Sequence, residues 1–384
     1  MSEEPTTLWD IARLFLKLGT TAFGGPAAHI AMLQREVVER RGWLSQSEFL
    51  DHLGASNLVP GPTSTELVIH IGRRRGGWPG LLVAGACFIL PAALLVGILA
   101  WAYVRYGKMP AVAGLLYGVK PVVIAVVLQA LWKLGRSAVK SAWLAIVGLI
   151  SLGLSVLGAG PLLVLAAGAA LALAASVAQM RNSARVIAWA NAKAVLPAAA
   201  GVAATAVSAG LWPIFLIFAK IGAMVFGSGY VLLVFLRAEL VERHPWLTQQ
   251  QLLDAVAVGQ VTPGPVFTTA TFLGYLLHGT TGAIAATAGI FLPAFVLVAI
   301  SAPLIPKIRA SRTAGSVLDG VNVASLALMA VVTWQLARTA FVDWQTIALA
   351  LLSAALLFRY PRLNSGWLVA GAGLLGVVRF LYPV

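Results

Sequence analysis

Two polar segments, each built around a Pro-Gly-Pro triplet, carry the residue types best suited to holding an anion. The first covers residues 51–72, and its triplet is Pro60-Gly61-Pro62. Two prolines remove two backbone donors, and each disfavours helical geometry at the residue before it. We therefore expect one helix to stop at the triplet and another to start near Thr63, with unpaired N–H groups at the positive end of its dipole. A helix start of this kind can bind an anion.

A second segment repeats this arrangement around Pro263-Gly264-Pro265. Broken helices at matching places in two repeats are the best sequence indication of a transporter's substrate site. From the two segments we predict these substrate-binding residues: Asn57, Gly61, Thr63, Ser64, Thr65, Gln260, Gly264, Thr268 and Thr269. A structural alternative stays open, because Thr63 and Glu66 also fit a capping box and Pro-Gly-Pro is a common turn.

A lysine precedes a glycine-rich break in the first helix of each half. Lys17 is followed by FGGP at residues 23–26, and Lys220 by FGSG at residues 226–229. A lysine inside a membrane helix costs at least ~2.5–3.5 kcal/mol in lipid, so it should face a cavity or a partner. The residues predicted to bind substrate here are Lys17, Gly24, Gly25, Lys220, Gly227 and Ser228. The alternative is that both lysines extend to the membrane surface.

Glu66 and His70 lie four residues apart, on one face of the predicted helix. Both can carry protons, so we predict that they couple transport to the proton gradient. Their counterparts in the second half, Thr269 and Leu273, cannot do this, so the first half is expected to handle the proton. The alternative is that Glu66 and His70 pair with each other or with the arginines at residues 73–75.

Three other polar features have mainly structural interpretations. Lys120 lies in an apolar run and is a further candidate, although Asn322 replaces it in the second half. His29, near the first glycine-rich break, is expected to be a packed, hydrogen-bonded side chain. The charged stretch at residues 36–43 has a tryptophan anchor and is typical of a helix lying at the membrane interface.

An internal duplication positions all of these motifs. Shifting the sequence by 203 residues aligns residues 15–72 with 218–275 without a gap, and 19 of the 58 positions are identical. The identities include lysine, glutamate, tryptophan, aspartate and the proline triplets, which similarity between low-complexity apolar segments would not produce. We predict a first repeat at residues 1–180, a linker at 181–210 and a second repeat at 211–384.

The composition requires a membrane environment. The chain has 384 residues, of which 60% are hydrophobic and only 10% charged, whereas a soluble domain carries roughly a quarter charged residues. Several apolar runs reach the ~20 residues of a spanning helix, and no alternating pattern indicates a β-barrel. We predict an all-α, multi-pass protein of the cell inner membrane. The acidic start, MSEEPTTLWD, does not resemble a cleaved signal.

The predicted topology is two inverted repeats. If the Pro-Gly-Pro segment enters the membrane and returns, each half crosses five times, and an odd number inverts the second half. The apolar stretch at residues 195–209 would make the halves parallel if it also crossed.

Several classes of protein are excluded by what the sequence lacks. Cys87 is the only cysteine, so thiol chemistry and a cysteine zinc site are not expected. There is no glycine-rich cofactor fingerprint, no metal-ligand spacing and no paired catalytic carboxylates, which argues against a membrane reductase or hydrolase. The net charge of +14 is spread over short loops, so nucleic-acid binding is not expected. We predict no enzyme activity, no catalytic residues, no cofactor and no metal.

At these motifs the chain resembles the chromate transporter family, in its long form with two fused homologous halves. The resemblance covers essentially the whole chain and rests on FGGPAAHI, ERRGWLSQSEFLD, ASNLVPGPTSTELVIHIG, FGSGYVLL, ERHPWLTQQQLLDAVAVGQVTPGP and TFLGYLLHG. It implies export of chromate across the bacterial cytoplasmic membrane, driven by the proton-motive force and conferring chromate resistance. It also implies that sulfate, the same shape and charge, competes. Short members of the family act as pairs in opposite orientation, in agreement with inversion.

The leading hypothesis is thus a chromate antiporter embedded in the lipid bilayer. Transport of sulfate or another oxyanion, and proton-coupled transport of a different substrate, are the alternatives. A homodimer is left open. The second half has FGSG in place of FGGP and lacks the acid after its Pro-Gly-Pro, so the halves are not expected to play equal roles.

Overall fold

A computed structural model of the chain describes residues 6–22, 25–56, 59–107, 109–183, 209–226, 229–301, 312–360, 363 and 365–381. Within these residues the regular secondary structure is entirely helical, which confirms the predicted all-α class. The first half has α1 (Leu8–Thr21), α2 (Gly25–Gln34), a π-helix (Arg35–Arg40), α3 (Gln46–Ser56), α4 (Thr63–Tyr106), α5 (Pro110–Ala138), α6 (Ala142–Val156) and α7 (Pro161–Ser183). The second half has α8 (Leu211–Met224), a 3-10 turn (Gly229–Val231), α9 (Leu232–Arg237), a π-helix (Ala238–Arg243), α10 (Gln249–Val261), a 3-10 turn (Val266–Thr268), α11 (Thr269–Ser301), α12 (Arg312–Ala340), α13 (Trp344–Arg359) and α14 (Ser365–Leu381). Most of the predicted linker, including residues 195–208, lies outside the described residues.

Four of the described helices are long and apolar enough to cross a membrane: Thr63–Tyr106, Pro110–Ala138, Val266–Ile300 and Gly315–Ala340. Many of their large apolar side chains point out of the protein; Leu94, for example, is 67% exposed and Ile284 is 65% exposed. Lipid can solvate such an apolar exterior, whereas water would not. The chain is therefore a multi-pass membrane protein.

α4 turns back on itself after its first third. Residues 76–77 leave helical geometry, and the second of them has a φ of +60°. A Cβ atom on Gly72 would lie 2.4 Å from the carbonyl oxygen of Gly80, although eight residues of straight helix span about 12 Å. α4 therefore consists of a short arm, residues 63–75, and a long arm, residues 78–106, that pack side by side.

α11 reverses in the same way at residues 278–279, where Gly274 and Gly282 make the close backbone contact. We call the end of the molecule with the α4 reversal the first face, and the opposite end the second face. Arg73, beside the α4 reversal, donates to the carbonyl oxygen of Val298 at 3.3 Å. The long arm of α11 therefore ends at the first face, and its reversal lies at the second face.

α1 does not cross the molecule, which corrects the predicted count of five crossings per half. It ends after 14 residues, about 21 Å of helix, and α2 runs back beside it. Lys17 in α1 forms an ion pair with Glu36, just after α2, at 2.9 Å. The same pairing joins Lys220 and Glu239 in the second half. Each half therefore begins with a helical hairpin that returns to the face from which it started.

A second hairpin follows in each half. α3 and the short arm of α4 run antiparallel, since Glu48 in α3 lies 3.6 Å from Arg74 in that arm. α10 and the short arm of α11 are the equivalent pair, and a Cβ atom on Gly259 would lie 2.2 Å from Oγ1 of Thr269. Thr248 caps the start of α10 in a capping box with Gln251, which fixes where the hairpin begins.

The two halves interlock by exchanging helices. α5 of the first half packs on α13 and α14 of the second half, while its counterpart α12 packs on α6 and α7. The contacts are close because glycines meet backbone: a Cβ atom on Gly118 would lie 1.9 Å from the carbonyl oxygen of Ala372, and one on Gly320 would lie 2.3 Å from that of Gly168. The largest buried apolar cluster contains helices of both halves, so they share one core.

The equivalent helices α5 and α12 run in opposite directions. Lys140, just after α5, forms an ion pair with Asp319, near the start of α12, at 2.7 Å. At the other end, Tyr117 near the start of α5 lines a cavity with Thr339, near the end of α12. The helices that the duplication relates are thus antiparallel to each other.

Candidate functional site

Both Pro-Gly-Pro triplets interrupt helices. α3 ends at Ser56 and α4 starts at Thr63, while α10 ends at Val261 and the next 3-10 turn starts at Val266. Both central glycines have positive φ, +145° in the first triplet and +88° in the second. Glycine adopts these angles without the strain that a side chain would add.

Each triplet is hydrogen-bonded to the first-helix break of the other half. The Gly61 N–H donates to the carbonyl oxygen of Val225, directly after α8, at 2.7 Å. The Gly264 N–H donates to the carbonyl oxygen of Ala22, directly after α1, at 2.9 Å. These two bonds join the four helix breaks in two pairs, each with one break from either half.

The triplets contact the middle of the long arms. A Cβ atom on Gly264 would lie 2.6 Å from Cβ of Ala92, and one on Gly61 would lie 3.6 Å from Cβ of Ala294, the equivalent residue of α11. Ala92 is halfway along residues 78–106, about 21 Å from either end. The breaks therefore meet at half the height of the longest helices.

The start of α4 is fully buried at this point. Thr63, Ser64, Thr65 and Glu66 are at most 7% exposed. The N-cap is Pro62, which has no side-chain cap hydrogen bond, so the capping box considered from the sequence does not form. The N–H groups of Thr65 and Glu66 bond the carbonyl oxygen of Pro62, while the first two N–H groups of a helix have no partner inside it.

Polar atoms without partners gather around these breaks. Both carboxyl oxygens of Glu66, Oγ1 of Thr65, Nε2 of His70 and Nε2 of Gln260 are buried and have no hydrogen-bond partner among the described residues. The Glu66 carboxyl lies against Gly61, since a Cβ atom there would be 2.4 Å from its Oε1. Buried polar groups in proteins are nearly always paired, so this cluster is suited to a ligand or water.

The second half satisfies its own hydroxyls instead. Oγ1 of Thr268 donates to the carbonyl oxygen of Pro265 at 2.8 Å, and Oγ1 of Thr269 to that of Val266 at 2.8 Å. Apart from Nε2 of Gln260, the unpaired polar groups at the breaks thus come from the first half.

His29 connects the first-helix break to the start of α4. Its Nε2 lies 3.0 Å from the carbonyl oxygen of Ala22, and its Nδ1 lies 3.4 Å from Oγ of Ser64. A carbonyl oxygen can only accept, so Nε2 carries the proton and Nδ1 accepts from the Ser64 hydroxyl when the ring is neutral. This is the packed, hydrogen-bonded side chain that was predicted.

Lys17 and Lys220 lie about one helical turn before the first-helix breaks, and each is paired with a glutamate. Lys17 is half-exposed and pairs with Glu36, which also bonds Arg40 at 2.7 Å. Burial opposes ionisation of Glu36, but hydrogen bonds and charge from Lys17 and Arg40 outweigh it and lower the pKa of that carboxyl. Both lysines have the local partner that a charge in an apolar helix needs, so direct binding of substrate by them stays a prediction.

Four other predicted site residues, Gly24, Asn57, Gly227 and Ser228, lie outside the described residues. Gly25 is the first residue of α2. The structure therefore brings together Gly61, Thr63, Ser64, Thr65, Glu66 and Gly264 at the breaks, with His70 one helical turn after Glu66 and Gln260 one turn before its own triplet.

A family model described as "Chromate transporter" matches the chain twice, at residues 9–173 and 212–377. The chain belongs to the chromate transporter family. Its relatives include a chromate transport protein of Cupriavidus metallidurans, 34% identical over 377 residues, which are 97% of this chain and 94% of that protein. One of Pseudomonas aeruginosa is 33% identical over 380 residues, 95% of this chain and 91% of that protein. No solved structure matches the chain.

A shorter relative matches about a third of the chain. The uncharacterized transporter YwrA of Bacillus subtilis is 34% identical over 119 residues, 31% of this chain and 67% of that protein. Family membership makes this chain a transporter and a multi-pass protein of the inner membrane.

Sequence reasoning missed a polar column that leads from the breaks of this transporter to its first face. His52 in α3 has its ring centroid 5.8 Å from that of His70, and Glu48, one turn earlier in α3, lies 3.6 Å from Arg74. Glu48 and His52 are four residues apart on α3, as Glu66 and His70 are on α4. This matching spacing was the signal available in the sequence. It could be recognised only once the two segments were known to pair antiparallel.

Proposed function

We propose that this chain is a secondary transporter that exports chromate across the cytoplasmic membrane, driven by the proton-motive force, and that it confers chromate resistance. Support comes from family membership and from relatives named as chromate transport proteins. The observation that carries the proposal is the pair of reciprocal hydrogen bonds, Gly61 to Val225 and Gly264 to Ala22. They join the four helix breaks in two pairs at half height.

In this proposal a tetrahedral dianion is held mainly by backbone and hydroxyl donors. The N–H groups of Thr63 and Ser64 have no partner within their helix, and together with the unpaired hydroxyl of Thr65 they lie at the positive end of a buried helix. Partial charges of this kind bind anions without a full opposite charge, so release stays fast. Such a site would accept sulfate as readily as chromate, which makes sulfate the natural competitor.

Alternating access would follow from inverted repeats. The antiparallel course of α5 and α12 supports inversion, as does the placement of the two reversals at opposite faces. In an inverted pair, α3 and α10 lead to the breaks from opposite faces. Movement of one hairpin at a time would expose the breaks to one side of the membrane and then to the other.

The membrane potential favours the proposed direction. Moving one charge across 100 mV is worth about 2.3 kcal/mol, so a dianion leaving a negative interior gains about 4.6 kcal/mol.

Glu66 adds a proton requirement, because an ionised carboxylate beside the bound dianion would repel it. This repulsion favours a proton that is bound, and moves outward, together with the oxyanion. The predicted antiport instead requires protons to move inward as chromate moves outward.

Proteoliposomes containing the purified chain test the proposal. We expect chromate flux that depends on the protein, increases with a potassium diffusion potential of the correct sign and falls when sulfate is added. The effect of an imposed pH gradient at zero potential then separates antiport from co-transport. Absence of chromate flux, or flux unaffected by the potential, would contradict the proposal. In cells, expression should raise the chromate concentration that stops growth.

A further inference from the structure

A second charged cluster lies buried between the halves, away from the helix breaks. Lys120 on α5 and Asp254 on α10 form an ion pair at 2.7 Å. Their residues are only 7% and 2% exposed. The hydroxyl of Tyr103, on the long arm of α4, donates to the other carboxylate oxygen of Asp254 at 2.7 Å. Among the described residues, Lys120 is the only buried lysine or arginine.

The duplication provides an internal control for what this pair does. The residues equivalent to Lys120 and Asp254 are Asn322 and Asp51. Asp51 is exposed, and Asn322 carries no charge. The helices equivalent to α5 and α10 are α12 and α3. They therefore fold without an ion pair between the two equivalent positions. A buried ion pair is in any case weak support for stability, because desolvation offsets the attraction.

The pair borders a cavity of about 360 Å³. Its polar lining consists of Tyr103, Tyr117, Lys120, Gln250, Asp254 and Thr339. A water molecule occupies about 30 Å³, so the cavity has room for an oxyanion together with several waters. Val342 and Phe380, which also line it, are 68% and 42% exposed, so the cavity opens at the protein surface.

The rim of the cavity carries another balanced charge. Asp343 accepts from the hydroxyl of Tyr117 at 2.6 Å and pairs with Arg379 at 3.1 Å. The inner and outer ends of the cavity thus each hold a cation whose charge an aspartate balances. Charges retained in membrane-embedded cavities mark ion pathways in other membrane proteins.

We propose that this cavity is a second oxyanion-binding site, in which an oxyanion replaces the Asp254 carboxylate on the Lys120 ammonium. The proposal rests on the proposed function. Lysine offers three N–H donors and tyrosine one O–H donor, all of which fit the oxygens of a tetrahedral anion. When the oxyanion replaces the Asp254 carboxylate, the positive charge of Lys120 stays paired with a negative charge. A dianion also attracts the ammonium group more strongly than a carboxylate does.

The site lies on the route between the second face and the helix breaks. Its lining joins the end of α4 and the start of α5 with the end of α12. Asp254 and Gln260 belong to the same helix, α10, and their separation of six residues spans about 9 Å. An oxyanion at Lys120 would therefore lie about two and a half helical turns along α10 from the Pro-Gly-Pro turn at residues 263–265.

Equilibrium binding of radiolabelled chromate to the purified full-length chain in nanodiscs tests the proposal. We expect two binding sites in the parent protein and one in Lys120→Met. Asp254→Asn should tighten the second site by about tenfold, because the competing negative charge is removed. The double variant Lys120→Met with Asp254→Asn leaves no uncompensated charge, so it should fold as the parent does and bind at one site.

The matched control is Lys140→Met with Asp319→Asn. These residues form another Lys–Asp pair between the halves at 2.7 Å, which is exposed, so the control should leave both binding sites intact.

Unchanged stoichiometry and affinity in Lys120→Met and in the double variant would overturn the second site while leaving the proposed function standing. If the parent protein bound chromate at a single site and Lys120→Met removed that site, the result would contradict the proposed central site instead. The loss of one site in the exposed control as well would show a general effect on folding and count against this inference.

Discussion

Glu66 is the residue on which the proposed proton coupling depends. It is wholly buried, both of its oxygens lack a partner among the described residues, and it faces the glycine of the first triplet. Its spacing from His70 was visible in the sequence because helical periodicity is local. The positions of His52 and of the Lys120–Asp254 pair were not, because each depends on how separate segments pack.

Glu66→Gln should keep chromate transport but remove most of its pH dependence. Glutamine resembles the neutral acid at every pH, so oxyanion binding would no longer need a proton. Initial rates in proteoliposomes across a pH series should then agree within about twofold. Glu48→Gln, at the exposed end of the polar column, is the control and should retain the parent profile. A parent-like profile in Glu66→Gln would contradict the proposed coupling.

Lys17→Met and Lys220→Met should leave chromate affinity within about twofold of the parent, because both ammonium groups are held in ion pairs with glutamates. Their charges are already balanced by Glu36 and Glu239. Binding of radiolabelled chromate measures this directly. A tenfold loss of affinity in both variants would instead support the sequence interpretation, in which the lysines bind substrate.

At the scale of the elements, helix breaks could be predicted and helix reversals could not. Pro-Gly-Pro has a local cause, since two prolines cannot continue a helix. The reversals at residues 76–77 and 278–279 lie in glycine-containing stretches that the sequence alone does not distinguish from a straight helix. They are stabilised by tertiary contacts, such as that of Gly72 with Gly80. The predicted first crossing failed for the same reason, because the return of α2 depends on its packing.

Gly61→Ala and Gly264→Ala should each reduce chromate flux by about tenfold or more without preventing membrane insertion, since the triplets sit at strained, crowded positions. A methyl group would lie 2.4 Å from Oε1 of Glu66 in the first case and 2.6 Å from Cβ of Ala92 in the second.

The matched control for these variants is Gly158→Ala. Gly158 has a φ of +85°, but nothing lies within 4 Å of the added methyl group. It should therefore show only the backbone strain of about 1 kcal/mol and retain flux. Equal loss of flux in all three variants would mean that strain, rather than the site, is responsible.

At the scale of the whole molecule, the duplication was evident from the sequence, but the exchange of helices was not. Lysines, tryptophans and proline triplets in register reveal two copies of one unit. Both copies present similar apolar faces, so the hydrophobic pattern cannot decide whether α5 packs on its own α6 or on α14. The close backbone contacts of Gly114 and Gly118 with α14 decide it in the structure.

Co-expressed fragments 1–208 and 209–384 should assemble and co-purify, while each fragment alone should be degraded, because neither can cover its shared core. Affinity purification through a tag on one fragment checks this. Gly118→Leu should abolish assembly, since its Cβ would lie 1.9 Å from Ala372 O. Gly135→Leu, on the same helix with nothing within 4 Å, should not. Stable, separately purified halves would contradict the interlocked core.

In the proposed mechanism, an oxyanion binds where the two Pro-Gly-Pro turns meet. An experimental structure of the chain with chromate bound, with chromium located by its anomalous scattering, tests this most directly. We expect a chromium peak beside the N–H groups of Thr63 and Ser64, within about 4 Å of the nearest donor nitrogen. Chromium found only elsewhere in the molecule, with water filling the space beside those groups, would contradict it.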